Sequence, residues 1–208
     1  VIRASRWDRK SPFVNPMCGS GTLAIEAALL ATNRPAGLLR ENFAFMHLEG
    51  YRPDDFYRIR SEIKDQGSAK LDFPIIATDH STGAVDAALR NAEFAGVEHL
   101  IEFDVCDFKD TRIPEGPGVM VFNPEYGDRM GEEEALVSTY QEIGDLFKQK
   151  CPGYWGYIFT GNPSLGKRVG LKTRRKIEFY NGPIECRLLE YELYAGTRNP
   201  KYVNQGNE

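Results

Sequence analysis

Short apolar runs alternate with stretches of helical periodicity along most of the chain. PFVN (12–15) is an apolar run that ends in a glycine-rich turn. Residues 20–32 then carry Leu23, Ile25, Ala27, Ala28, Leu30 and Ala31 at helix-like spacing. FPIIATD (73–79), LIEFDVCD (100–107), GVMVFN (118–123) and YWGYIFTG (154–161) read as four further strands. Residues 81–96 predict a helix, with Ser81 as its N-cap and Gly96 as its C-cap. Residues 132–150 predict another, with Glu132, Glu133 and Glu134 near its positive end. KIEFY, an Asn181–Gly182 turn and IECRLLEYELYAG read as a closing β-hairpin. The stretch 34–72 is less regular, holds an amphipathic segment near 53–66, and is expected to cover one sheet edge.

Alternation of strand and helix predicts a doubly wound α/β domain with a mostly parallel, Rossmann-like sheet. The strands number about seven, and the hairpin adds an antiparallel edge. Ligands of such sheets sit at the carboxyl ends of the strands, so the residues placed there carry the functional reading. VIRASRW at the start reads as the end of a helix, as if a segment preceded it, and the polar tail 196–208 is expected to fray.

After the first strand comes N-P-M-C-G-S-G-T (15–22). Gly19 and Gly21 permit a tight turn and close approach of a ligand to the backbone. The octet lacks the Lys of a phosphate loop, and Ala24 stands where a dinucleotide fingerprint has its third glycine. After the second strand comes Asp79, an acceptor for two ribose hydroxyls or else a helix N-cap. After the third comes Asp107, preceded by Asp104. It is either an acceptor for an adenine amino group or a solvated loop acid.

After the fourth strand comes N-P-E-Y-G (123–127). An exocyclic amine conjugated with its ring is a poor nucleophile. Two acceptors at its hydrogens, the Asn123 side chain and the Pro124 carbonyl, would turn its lone pair toward an electrophile. Tyr126 offers a face on which an unstacked base can rest.

Composition narrows the classes. The chain has 208 residues, 41% of them hydrophobic, enough for a buried core. No stretch reaches the ~18–20 apolar residues of a membrane span. A net charge of −4 argues against gripping nucleic acid by bulk charge alone. The exception is local: residues 167–176 hold six bases and no acid. Lys167, Arg168, Lys172, Arg174 and Arg175 are its candidates for phosphate contact, against the alternative of a solvated loop. TGNP (160–163) is a weaker candidate for lining a base pocket. Cys18, Cys106, Cys151 and Cys186 are widely spaced, which fits a reducing cytoplasm rather than zinc or disulfides. Cys18 reads as a packing residue. His47, His80 and His99 are scattered, and no metal is expected. Trp7 and Trp155 read as core aromatics.

The octet followed by IEAALLATNRPAG, then TDHSTGAVDAALRNAEFAG, NPEYGDRMGEEEAL, TGNPSLGKRVGL and NGPIECRLLEYEL, resembles class I S-adenosylmethionine-dependent RNA methyltransferases. The nearest group is the guanine-N2 enzymes with an N-terminal THUMP domain, among them the bacterial 23S ribosomal RNA enzyme and tRNA relatives. The resemblance spans roughly residues 5–195. It implies a cytoplasmic transferase that acts in rRNA processing, with S-adenosylmethionine as cofactor and S-adenosylhomocysteine as product. It implies a methionine-moiety loop at Asn15, Pro16, Met17, Cys18, Gly19 and Gly21, a ribose ligand at Asp79 and an adenine ligand at Asp107. Asn123, Pro124 and Tyr126 become the amine-binding and stacking set. It also implies one catalytic domain at 1–195, with the RNA-binding region upstream. Two positions depart from the family pattern. Asn15 replaces the usual Asp, and Glu125, expected to face solvent, replaces the usual second Pro. Adenine-N6 methylation, nicotinamide-dependent dehydrogenation and a non-catalytic scaffold are the rival readings.

Overall fold

The computed structural model describes residues 1–68, 70–126 and 132–194. Gly127, the side chains of Glu132, Glu133 and Glu134, and the expected tail 196–208 lie outside the described residues.

Seven strands form one sheet: β1 (Phe13–Pro16), β2 (Ile75–Asp79), β3 (Ile101–Val105), β4 (Val119–Phe122), β5 (Trp155–Thr160), β6 (Arg175–Asn181) and β7 (Ile184–Glu192). Their order is β3-β2-β1-β4-β5-β7-β6. The first five are parallel, and β7 runs antiparallel between β5 and β6. Helix α1 (Thr22–Ala31) and helix α3 (Thr82–Ala95) pack on one face; α4 (Glu132–Lys150) and α5 (Pro163–Arg168) pack on the other. Phe13, Ile75 and Val121 belong to the first core, while Val14, Met120, Phe122 and Ile158 belong to the second. Adjacent residues of one strand thus feed opposite cores, and this is why the central strands read as unbroken apolar runs.

Local signals account for the helix ends. Ser81 caps α3 by accepting from the Ala84 amide at 3.3 Å, and Gly96 closes it at φ 65°. Pro163 begins α5, a helix absent from the pattern reading because it is only six residues long.

Two expectations need correction. Residues Ile2–Ala4 form a single 3-10 turn rather than the end of an α-helix. Helix α2 (Pro53–Asp65) buries none of its residues, so it is not a cover pressed onto the sheet. Its Phe56 sits among the rings of Phe43, Phe45 and Tyr51 instead. Trp7 is buried, whereas Trp155 is partly exposed beneath the Arg6 guanidinium at 4.5 Å.

Candidate active site

The connections from β1 and β4 leave toward opposite faces, through α1 and α4. Ligands of open α/β sheets bind at such a reversal, and the glycine loop and the Asn123–Tyr126 loop begin there, at the adjacent ends of β1 and β4.

The glycine loop begins where β1 ends. Met17 and Gly19 are left-handed at φ 56° and 54°. A non-glycine residue there costs roughly 1–2 kcal/mol, so the loop holds Met17 against its preference. Backbone bonds fix the turn: Cys18 donates to the Thr78 carbonyl at 2.8 Å, and Gly21 to the Cys18 carbonyl at 2.9 Å. Asn91 of α3 donates its side-chain amide to the Ser20 carbonyl at 2.9 Å, a tether the sequence did not single out. The two glycines do different work. A Cβ on Gly19 would meet nothing within 4 Å, so that backbone borders open space. A Cβ on Gly21 would fall 2.8 Å from the Ala88 Cβ, so its missing side chain serves the packing of α1 on α3.

Asp79 is buried at the end of β2. One carboxylate oxygen accepts from the Gly19 amide and the other from the Ser81 amide, each at 3.0 Å. Capping of α3 falls to Ser81, so Asp79 is not the N-cap. It ties the glycine loop to β2 and keeps lone pairs for a ligand. Asp107 is exposed, accepts from the Lys109 amide at 2.9 Å and caps the 3-10 turn Phe108–Asp110. Asn15 is 1% exposed. Its amide donates to the Val121 carbonyl at 2.9 Å and so staples β1 to β4. Its side-chain oxygen has no hydrogen-bond partner among the described residues. Burial, helped by the Asp79 charge, pushes the Cys18 thiol up to about 12, which removes it as a nucleophile at neutral pH.

At the neighbouring strand end, β4 delivers the Asn123–Tyr126 loop. Pro124 is buried, and Asn123 and Glu125 are exposed. The Tyr126 hydroxyl donates to the Asn123 side-chain carbonyl at 2.9 Å, and its ring stands edge-on to Phe159 at 6.4 Å. Asn162 donates to the Tyr126 carbonyl at 3.2 Å, and the buried Tyr140 hydroxyl donates to the Glu125 carbonyl at 3.2 Å. Both partners were missed by the sequence reading, which marked TGNP only as a pocket lining.

The basic strip divides. Lys167, Arg168 and Lys172 are exposed. Arg174 lies 3.4 Å from the Glu192 carboxylate. Arg175 is committed to Glu190, which is wholly buried, at 3.0 and 2.5 Å. Arg175 is therefore already paired with a buried acid, with its guanidinium about half exposed.

Among the described residues, no group of three or more His, Cys, Asp and Glu side chains is placed to hold a metal ion. The donor set suits a nucleoside-bearing ligand: a buried carboxylate with lone pairs to spare, open backbone at Gly19 and an unpaired buried amide oxygen at Asn15.

A seven-stranded α/β sheet with a glycine loop after β1, an acid after β2 and an Asn-Pro-Glu-Tyr loop after β4 defines a class I methyltransferase fold. The chain belongs to the family described as RMKL-like, methyltransferase domain, whose model matches residues 1–190. It is 35% identical over 210 residues to a Ribosomal RNA large subunit methyltransferase K/L of Chromohalobacter salexigens, covering 98% of this chain and 29% of that protein. It is 35% identical over 194 residues to slr0064 of Synechocystis, a candidate RNA methyltransferase, covering 93% of this chain and 50% of the relative. A solved candidate methyltransferase, SMU.472 in complex with S-adenosylhomocysteine, superposes with a TM-score of 0.84 at 28% identity, covering 94% of this chain and 51% of that one. The chain thus spans about half or less of the length of these proteins.

Proposed function

We propose that this domain moves a methyl group from S-adenosylmethionine to the exocyclic N2 of a guanine in RNA, with large-subunit ribosomal RNA as the favoured substrate. The observation that carries the reading is the Asn123–Tyr126 loop, which leaves the end of β4 beside the end of β1, where the glycine loop begins. The names of the ribosomal RNA relatives support the substrate class.

Asp79 would hold the ribose, Gly19 and Met17 the methionine portion, and Asp107 the adenine. The bound cofactor would supply a methyl group on a sulfonium, which leaves readily. The chain would position the acceptor. Asn123 and Pro124 accept from the guanine amine, and Tyr126 supports the base. Positioning of this kind accounts for a large share of the rate in reactions of two bound partners. Lys167, Arg168 and Lys172 supply phosphate contacts beside the site. We assign residues 1–195 to this domain, with RNA capture by a region upstream of it, and place the reaction in the cytoplasm. No helix among the described residues is long and apolar enough to cross a membrane.

Calorimetric titration with S-adenosylhomocysteine tests the pocket, with NAD as counter-ligand and Asp79→Ala as control. Selective binding that weakens in the variant supports it, and binding of NAD instead overturns it. Nucleoside analysis of methylated RNA then decides guanine N2 against adenine N6, since the loop chemistry serves either amine.

A further inference from the structure

We propose that Asn162 and Tyr140 are positioning residues that hold the Asn123–Tyr126 loop by its backbone and thereby set the rate of transfer. The proposal rests on the methyl-transfer reading of the site.

Asn162 performs two tasks with one amide. Its oxygen accepts from the Ser164 and Leu165 amides at 3.0 and 3.2 Å and caps α5. Its nitrogen donates to the Tyr126 carbonyl at 3.2 Å. Capping alone requires only an oxygen, and Asp or Ser would serve as well. The nitrogen is the part that capping does not use, and it is spent on the loop. Tyr140 is the second arm. It is fully buried, donates to the Glu125 carbonyl at 3.2 Å and lies 2.8 Å from the Thr160 hydroxyl. Thr160 in turn accepts from the Asn162 backbone amide at 3.0 Å. The arm from α4 and the arm that follows β5 thus meet at Thr160, the last residue of β5, which neighbours the strand that delivers the loop. Gly161 sits between them. A Cβ there would come 3.0 Å from Tyr126 Cδ2 and 2.9 Å from Ile184 Cγ2, so the Tyr126 ring rests against bare backbone. Two consecutive carbonyls and one ring face are therefore fixed from α4 and from the segment that follows β5. The Tyr126 hydroxyl passes that placement to the Asn123 side chain. A loop held at these points needs no reorganisation when a base arrives, and small misplacements at a reacting centre cost large factors in rate.

Asn162→Asp separates positioning from capping. The carboxylate keeps the cap of α5 and loses the donor to Tyr126. The expected result is a thermal midpoint close to wild type, with the Tyr126 carbonyl carbon resonance moved by NMR to the position of an unbonded carbonyl. S-adenosylhomocysteine affinity stays within about twofold and kcat falls about tenfold, the size of one lost hydrogen bond, with KM for S-adenosylmethionine unchanged. Tyr140→Phe is expected to move the Glu125 carbonyl resonance and to lower kcat in the same way, and Asn162→Gln gives no rescue because it loses the cap. A wild-type Tyr126 carbonyl resonance in Asn162→Asp would overturn the proposal. So would a displaced resonance with unchanged kcat. A wild-type chain that binds no S-adenosylhomocysteine would instead remove the transfer reading, and the carbonyl resonances would still decide whether Asn162 holds the loop.

Discussion

The Tyr126 hydroxyl and the Asn123 side-chain carbonyl are joined by a 2.9 Å hydrogen bond. The residue proposed to stack the base therefore also orients the residue proposed to grip its amine. A carbonyl oxygen has two lone pairs, so Asn123 keeps one for the amine. Tyr126→Phe retains the ring and removes the orienting bond. Its kcat is expected to fall about three- to tenfold, with KM for RNA little changed. Tyr126→Ala also removes the platform and is expected to raise KM, since stacking contributes about 1–3 kcal/mol per base. Asn123→Ala should cost roughly a hundredfold or more in kcat, the range for a group aligned with the transition state. Steady-state kinetics on a true substrate separates the three. Equal turnover of wild type and Asn123→Ala would remove the amine-orienting role.

The two loop glycines predict two different phenotypes. Gly21→Ala drives a Cβ to 2.8 Å from Ala88 at φ 81°. Overpacking of this kind costs about 1–3 kcal/mol, so the thermal midpoint should drop. Gly19→Ala meets no atom within 4 Å, although its φ of 54° is strained. Its stability loss should be smaller, while S-adenosylhomocysteine affinity falls roughly tenfold because the methyl projects into ligand space. Thermal denaturation and calorimetry on both variants check the division of labour. A reversed pattern would exchange the two roles.

Glu190 is a buried carboxylate held by two cations. Burial by itself pushes its carboxyl up. The Arg175 and Arg6 guanidiniums and the Tyr157 hydroxyl together outweigh burial and hold it below the ordinary value of 4.5. A depressed carboxyl contributes stability that is complete above the unfolded value and is lost as pH falls through the folded one. Arg175→Ala removes the main partner and should cost roughly 1–3 kcal/mol at neutral pH. This is less than a fully buried pair because both guanidiniums are about half exposed. The deficit should narrow as pH falls from the unfolded value toward the depressed folded one, where the carboxyl takes up its proton and the ion pair is lost. Urea unfolding at pH 7 and at about pH 3 measures it. A deficit that is the same at both values would show that packing, not charge, holds Arg175.

Legibility in the sequence followed the range of the interactions. The seven strands were readable because central strands such as β4 are apolar at every position, and because Asn-Gly signals a hairpin, although the two-residue turn is Gly182–Pro183 and Asn181 is still in the sheet, paired with Ile184. Ser81 and Gly96 were readable because capping is local. The glycine loop and N-P-E-Y stood out because unusual backbone requires unusual residues. What was not readable depends on pairs far apart in the chain. Nothing in residues 167–176 shows that Arg175 answers a buried Glu190 fifteen residues on. Nothing in N-P-E-Y shows that Tyr140 and Asn162 hold its carbonyls. Helix α5 was missed because six residues are too few to show a period.

Asn15 stands where the resembled family usually has Asp, and its geometry predicts the effect of restoring the acid. The side chain is 1% exposed, and its amide nitrogen donates to the Val121 carbonyl at 2.9 Å. An ionised Asp would set a carboxylate against that carbonyl inside the core, so its pKa in the folded state should rise above the unfolded value of about 3.9. A raised carboxyl destabilises the fold as pH climbs past the unfolded value, because the unfolded chain releases the proton more readily. Near pH 4 the protonated acid can still donate to Val121, and Asn15→Asp should approach wild-type stability. At pH 8 it should be less stable by about 1–3 kcal/mol. Urea titrations of both proteins at the two pH values give the comparison, with equal m-values as the check that the same surface is exposed. A variant as stable as wild type at pH 8 would mean that the strand staple is dispensable, and that a partner other than Val121 satisfies the acid at the end of β1.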